Sequence, residues 1–238
     1  MGSVTLQVVA RRRQHCELLV GSWELVGVAE EPVSYSTFAV IDLLDAFASN
    51  DPLPGGGSAA ALAGSLGVSL LMMVAGLPKT RTQAPEEATD LAEASARLRP
   101  LRENLIELID RDSEAYLQVI AGLKMPKASD AEKAARSEAI QAGMRAATDV
   151  PLETMRECQQ ALAGAVIVAR NAYRTAASDA AMGVELLLAS VRGCALGIDG
   201  NLAGIKDAAY KERVRVERQA LETDSITDAE RARELLKA

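Results

Sequence analysis

From Ser36 onward, apolar residues recur at steps of three and four, and Phe38, Ile41, Leu44 and Ala48 mark one side of a first segment that Asn50-Asp51-Pro52 ends. That period belongs to an amphipathic helix. The stretch from Gly55 to Pro78 carries no charge and predicts an apolar helix opened by Pro54-Gly55-Gly56-Gly57-Ser58. Pro78 to Ala84 is polar and basic and reads as a loop. A long helical pattern follows from Pro85 to about Leu123, with Pro100 either kinking it or starting a second helix at its first turn.

Ser129-Asp130-Ala131-Glu132 has capping-box spacing, so a helix is expected from there to about Thr148. Val150-Pro151 is expected to restart the chain into a helix reaching about Ala176. Ser178 is placed to cap the next one through Ala195, with Gly197, Gly200 and Asn201 breaking it. A last helix is expected over roughly Ala203 to Leu221, and Thr227-Asp228-Ala229-Glu230 would cap a short terminal one. Near the start the period changes to two. Val4, Leu6 and Val8 alternate with Thr5 and Gln7, and a second alternating run, Leu18 to Val28, is divided by Gly21-Ser22, a pair suited to a two-residue turn. Residues 1–33 are therefore read as an N-terminal extension, a short β-hairpin or extended arm, and residues 34–238 as one all-α domain, a bundle of long antiparallel helices.

Composition supports helices, because 3% aromatic residues in a chain that is 49% hydrophobic fill close helix contacts better than a β-sandwich. A formal charge of −7 lacks the basic footprint that holds a phosphate backbone, so nucleic acid is not expected as a partner. The uncharged run at Gly55–Pro78 has the length of a membrane span, but Gly64, Ser65, Gly67 and Ser69 within it suit a buried helix approached closely by its neighbours. No membrane is expected either. Cys16, Cys158 and Cys194 lie far apart with no CxxC pair, and Arg11-Arg12-Arg13 is followed by His15, Cys16 and Glu17 rather than an apolar run. Both features read as a cytoplasmic protein with reduced thiols. With His15 the only histidine, a His-rich zinc site cannot be built, no metal site is expected, and acid–base work falls to carboxylates, lysines or tyrosines.

Two features stand out as candidate chemistry. Gly55-Gly56-Gly57-Ser58 opens a helix, where bare backbone N–H groups and the partial positive charge of the helix start can receive an anionic or carbonyl oxygen; a tight turn that aids packing is the structural alternative. Asp112 falls inside an apolar face made by Leu105, Leu108, Tyr116, Val119 and Leu123 beside Ile106, Ile109, Leu117 and Ile120, while Asp110 and Arg111 fall on the solvated side. A carboxyl group in such a face loses hydration when ionised, so its pKa should rise toward that of a useful acid, unless a buried partner compensates. Ser178-Asp179 reads first as an ordinary helix start, Lys79, Arg81, Lys124 and Lys127 as surface charges able to hold an acidic substrate tail, and Glu185 and Arg192 equally as a buried ion pair or interface contact or as a site.

The string Asp51-Pro52-Leu53-Pro54-Gly55-Gly56-Gly57-Ser58-Ala59-Ala60-Ala61-Leu62 resembles the Gly-rich opening of the cyclodeaminase/cyclohydrolase family, which includes the C-terminal domain of formiminotransferase-cyclodeaminase. The resemblance continues, in order, through Met73-Val74-Ala75, Asp110 to Tyr116, Met125-Pro126-Lys127, Val150-Pro151-Leu152, Ser178-Asp179 and Asn201 to Ile205. It implies an all-helical homodimer that takes a tetrahydrofolate derivative as substrate, with no bound cofactor. The reaction is either cyclisation of 5-formimidoyltetrahydrofolate with loss of ammonia or reversible hydrolysis of 5,10-methenyltetrahydrofolate to 10-formyltetrahydrofolate. By motif, Asp112 is the proton-transfer residue, and Gly55, Gly56, Gly57, Ser58, Lys127, Asp179 and Asn201 are substrate contacts. The chain departs from the family pattern at Pro78, Tyr173 and Gly197. A non-catalytic folate-binding or scaffolding protein, or a relative acting on another substrate, is the competing reading.

Overall fold

The three- and four-residue spacing closes into helices in a computed structural model of the chain, which describes residues 33–237. Six helices occur among the described residues: α1 (Val40–Phe47), α2 (Gly56–Ala75), α3 (Pro85–Lys124), α4 (Asp130–Asn171), α5 (Ala177–Leu202) and α6 (Ala208–Lys237). Single 3-10 turns lie at Tyr35–Thr37 and Arg174–Ala176. This is an all-α bundle whose described residues hold no sheet, only an isolated antiparallel bridge between Thr80 and Ala172. The hairpin expected near the start of the chain lies outside the described residues.

Neighbouring helices run antiparallel, as short connections demand. Along α2 and α3, Gly57 lies beside Asp112, Gly64 beside Leu105, and Ser69 accepts from Arg102 Nε at 2.9 Å. Along α2 and α5, Ala60 lies beside Gly193, and Gly67 meets Gly183 so closely that a Cβ on either would come within 2.8 or 2.9 Å of the other's carbonyl oxygen. Only glycine permits that approach. Leu71, Leu91, Leu105, Met155, Leu187 and Ile198 are among the largest fully buried side chains and bring α2, α3, α4 and α5 into one core. α2 and the stretch Arg174–Leu202 are, among the described residues, long and apolar enough to cross a membrane, yet they pack on each other with 56% and 50% of their apolar windows buried.

Several local signals are overridden by tertiary contacts. The capping box forms as its spacing predicts, with Glu132 N donating to Ser129 Oγ at 3.2 Å and Ser129 N to Glu132 Oε2 at 2.8 Å. Pro151, by contrast, restarts nothing, and α4 runs through it. A proline has no N–H to give the carbonyl four residues back, that of Ala147; Asn201 Nδ2 donates to it instead at 2.7 Å. Pro100 sits on an exposed face of an unbroken α3, where water can reach the carbonyl it leaves free. Gly197 and Gly200 do not break α5 either, and a side chain at either would meet open space.

Helix starts are also displaced. Ala176, ending a 3-10 turn, is the residue before α5, so Ser178 lies inside the first turn and does not cap it. α6 begins at Ala208, where Asp207 Oδ1 accepts from Tyr210 N at 3.0 Å, and it continues unbroken through Thr227, whose hydroxyl turns back to Thr223 O at 3.0 Å. Arg81 is a structural tie rather than a free surface charge. Its Nη2 donates to the carbonyls of Ala169 and Leu235 at 3.1 and 3.0 Å, joining the C-terminal ends of α4 and α6 where helix carbonyls are unpaired. Beyond Asp112 the apolar stripe of α3 is not buried as expected: Tyr116, Leu117 and Leu123 remain exposed where α3 and α4 project as a hairpin.

Candidate active site

Asp112 reaches from α3 toward the first turn of α2. Its Oδ2 accepts from Ser58 N at 2.9 Å and lies 3.1 Å from Ser58 Oγ, and its carboxylate fills the space where Gly57 lacks a side chain. A helix start supplies unpaired N–H groups, and here one of them points at a carboxyl oxygen. The group is largely removed from water, and that burial raises its pKa; the two bonds from Ser58 oppose the rise without cancelling it. Below it is a polar seam. Ser58 is fully buried, its hydroxyl 2.8 Å from Ile109 O and 3.2 Å from the buried Ser113 Oγ. Cys158 Sγ donates to Ser190 Oγ at 3.2 Å farther in, burial pushes the Cys158 thiol up to about 12, and burial followed by the nearby Cys158 and Asp112 raises Cys194. These thiols are unsuited to act as nucleophiles.

The three glycines do different things. No described glycine adopts a positive φ, so conformational freedom, part of the case for them in sequence, is not what this loop uses. Gly57 supplies the notch for Asp112, a Cβ on Gly56 would meet nothing within 4 Å, and one on Gly55 would rest 3.6 Å from Pro52 O. Gly55 and Gly57 are half-buried and Gly56 is exposed, so the turn meets solvent next to the Asp112 notch, while Ser58 has no surface to present to a ligand.

Asp110 is not the freely solvated residue its helical phase implies. Its oxygens accept from Ser34 Oγ at 2.9 Å, Ser36 Oγ at 2.6 Å and Ser36 N at 3.1 Å, which moors the 3-10 turn of Tyr35 to α3. Burial, then Asp51 and Asp110, raise the Tyr35 phenol. The sequence holds one signal for this contact, the serines at 34 and 36, too common to be informative.

The profile of the formiminotransferase-cyclodeaminase family matches residues 39–220. The chain belongs to this family. It is 36% identical over 195 residues to a methenyltetrahydrofolate cyclohydrolase of Methylorubrum extorquens, an alignment covering 82% of this chain and 94% of that protein. It is 28% identical over 158 residues to the formimidoyltransferase-cyclodeaminase of Gallus gallus, covering 66% of this chain but 29% of that longer protein. The fold matches a crystal structure of formiminotetrahydrofolate cyclodeaminase from Thermotoga maritima with a TM-score of 0.75 at 20% identity, over 84% of this chain and 96% of that one.

In this family member the other motif residues are spread along the bundle. Asn201 lies seven residues, about 10 Å, along α5 from Cys194, and its Nδ2 is committed to Ala147 O. Lys127 is exposed at the tip of the α3–α4 hairpin, and the 12 helical residues separating Lys124 from Asp112 span about 18 Å at 1.5 Å each. Asp179 is exposed in the first turn of α5, about 22 Å along that helix from Cys194 beside Asp112. Lys79 sits with it at that far end, 5.4 Å above the Tyr173 ring. A groove of about 410 Å³ lined by Leu77, Pro78, Thr80, Leu91 and Arg99 lies there too. Glu185 pairs with Arg233 through two bonds of 2.7 Å, an exposed surface pair. Among the described residues no three His, Cys, Asp or Glu side chains gather at a metal-sized site.

Proposed function

We propose that this protein makes or breaks a C–N bond at the one-carbon unit of a tetrahydrofolate, with Asp112 transferring the proton. The observation that carries the reading is the Asp112 carboxyl, desolvated yet held at the start of α2 by the Ser58 N–H and seated in the notch left by Gly57. An acid of raised pKa can protonate a departing nitrogen, and as carboxylate it can take a proton from attacking water. In hydrolysis of 5,10-methenyltetrahydrofolate, water adds to the amidinium carbon, the bond to N5 breaks, and N5 leaves with the electron pair. In cyclisation of 5-formimidoyltetrahydrofolate, N10 attacks the same carbon and ammonia departs. In both reactions the folate itself is converted, so it enters as substrate.

Hydrolysis is the favoured member of the pair, because the cyclohydrolase relative aligns over 94% of its length at 36% identity whereas the transferase-cyclodeaminase aligns over 29% of its own at 28%. Offering both folates separately tests this: loss of the ultraviolet absorbance of the methenyl compound is the expected result, and ammonia release from the formimidoyl compound alone would overturn it. If neither folate is consumed but one binds, the non-catalytic reading takes its place. The buried free thiols Cys158 and Cys194 are in keeping with a reducing compartment such as the cytoplasm.

A homodimer belongs to this reading. α2 carries no ionisable residue and turns Leu66 and Met73 outward, and its antiparallel neighbour α5 turns out Met182 and Leu196. Two such faces bury each other in a second copy about a twofold axis. An axis near Leu66, the middle of α2, would set the Asp179 end of one copy beside the Asp112 end of the other and so reunite motif residues that one chain keeps apart.

A further inference from the structure

A group that is acid at one step and base at another needs surroundings that support both of its states. A carboxylate wants hydrogen-bond donors on its oxygens, whereas a carboxylic acid wants fewer of them. The Ser58 hydroxyl is placed to serve both. It has one proton and two oxygens that only accept, Ile109 O at 2.8 Å and Asp112 Oδ2 at 3.1 Å. Ser58 N donates to Oδ2 in either case, at 2.9 Å. Ser113 Oγ, 3.2 Å away, can give its own proton to Ser58 Oγ. Both serines are buried, so water does not compete for these bonds.

We infer that the Ser58 hydroxyl is a two-position donor that follows the protonation state of Asp112, which makes Ser58 a positioning residue for the proton transfer; this rests on the reading of Asp112 as the proton-transfer group. When Asp112 is ionised, the hydroxyl turns to Oδ2, and that oxygen receives two donors from one residue. When Asp112 takes a proton, the proton sits on Oδ1, in the notch left by Gly57, and the hydroxyl swings to Ile109 O. Oδ2 then keeps only the backbone donor, which suits a neutral carbonyl-type oxygen. No buried polar atom of this cluster is stranded in either state, and the carboxyl changes state without moving its chain.

The ionisable surroundings leave this role to Ser58. α2 presents no titratable side chain, α4 presents Glu153 to Arg111 at 2.7 Å, and α5 presents Cys194, whose thiol stays protonated. On the N-terminal side, Asp110 is engaged with Ser34 and Ser36, and Asp51 lies near Tyr35.

The test is a carbonyl-13C titration of protein labelled at aspartate, with the Asp112 resonance assigned by its loss in Asp112→Asn, run beside folate turnover. In Ser58→Ala the midpoint of Asp112 should move up, because its carboxylate loses a donor, and kcat should fall roughly tenfold with KM changed less than about twofold. Ser58→Thr, which keeps a hydroxyl, should restore the midpoint. If the alanine variant does not fold, Ser58→Cys carries the test, since a weak S–H donor must also raise the midpoint. A lower melting temperature with an unchanged midpoint and kcat would overturn the inference and leave Ser58 as packing. Wild-type turnover by Asp112→Asn would instead remove the reading on which it rests, an outcome the titration of Ser58→Ala cannot mimic.

Discussion

Gly57 and Asp112 share a space that holds only one side chain: the carboxylate occupies the volume a Cβ on Gly57 would need. Gly57→Ala should therefore push the carboxyl aside, and a shift of about 1 Å at a catalytic group costs roughly 100-fold in turnover. Gly56→Ala is the control, since its side chain would meet nothing within 4 Å; it should leave kcat within about twofold and raise thermal stability slightly by restricting the unfolded chain. Steady-state kinetics and melting curves of the two variants decide between this and a loop of interchangeable glycines.

Asp112→Asn should lower kcat by about 100-fold or more with little change in folate affinity. The same variant should be the more stable protein at neutral pH. Burial raises the pKa of Asp112 in the folded state, so its ionised form destabilises the fold above that pKa, and the penalty disappears as pH falls below the unfolded value near 3.8. Wild type and variant should thus melt apart at about pH 7 and together near pH 3. Equal melting temperatures at both would contradict the desolvated carboxyl.

Glu87 shifts the opposite way. The Thr80 hydroxyl at 2.7 Å, Thr82 N at 2.9 Å and the Thr82 hydroxyl at 2.8 Å hold its pKa at about 2, against an ordinary 4.5. A depressed carboxylate stabilises the fold above its unfolded pKa and loses that contribution as pH drops through its folded value. Glu87→Gln should lower the melting temperature at neutral pH and narrow its gap to wild type between about pH 4.5 and pH 2. A gap independent of pH would assign the clasp of this loop to shape alone.

Leu66 is 51% exposed at the middle of an uncharged helix. Leu66→Arg should convert a dimer to a monomer by solution mass, without unfolding it, and should abolish turnover if Asp179 of the partner subunit completes the site. A wild-type protein that is monomeric and fully active at micromolar concentration would refute both the pairing and the shared site.

Helical periodicity carries the fold class, the order of the long helices and the place of Asp112, since these follow from spacing along one element. What surrounds Asp112 is hidden from it. Ser58 reads in sequence as a substrate contact and Ser113 only as part of the Asp110–Tyr116 motif, and only the antiparallel packing of α2 on α3 turns Ser58 to the Asp112 carboxyl and Ser113 to the Ser58 hydroxyl. Helical phase misplaces Asp110 because it says nothing of a chain segment that folds back over the helix. The unbroken helices defeat the sequence signals for a related reason. Proline and glycine act locally, and the contacts that offset them at Pro151 or tolerate them at Gly197 come from the tertiary fold or from open solvent.

Asn201, Ala147 and Pro151 are tied together at one backbone oxygen although Asn201 lies far from the other two in sequence. The amide of Asn201 supplies the donor that Pro151 cannot give to the Ala147 carbonyl. A descendant that replaces Pro151 with a residue bearing an N–H gives the Ala147 carbonyl a helical donor of its own and relaxes the need for Asn201, and one that loses Asn201 while keeping the proline leaves that carbonyl without this donor. In relatives, the proline and the asparagine should therefore be found together or be missing together, a pairing imposed by the needs of one backbone oxygen.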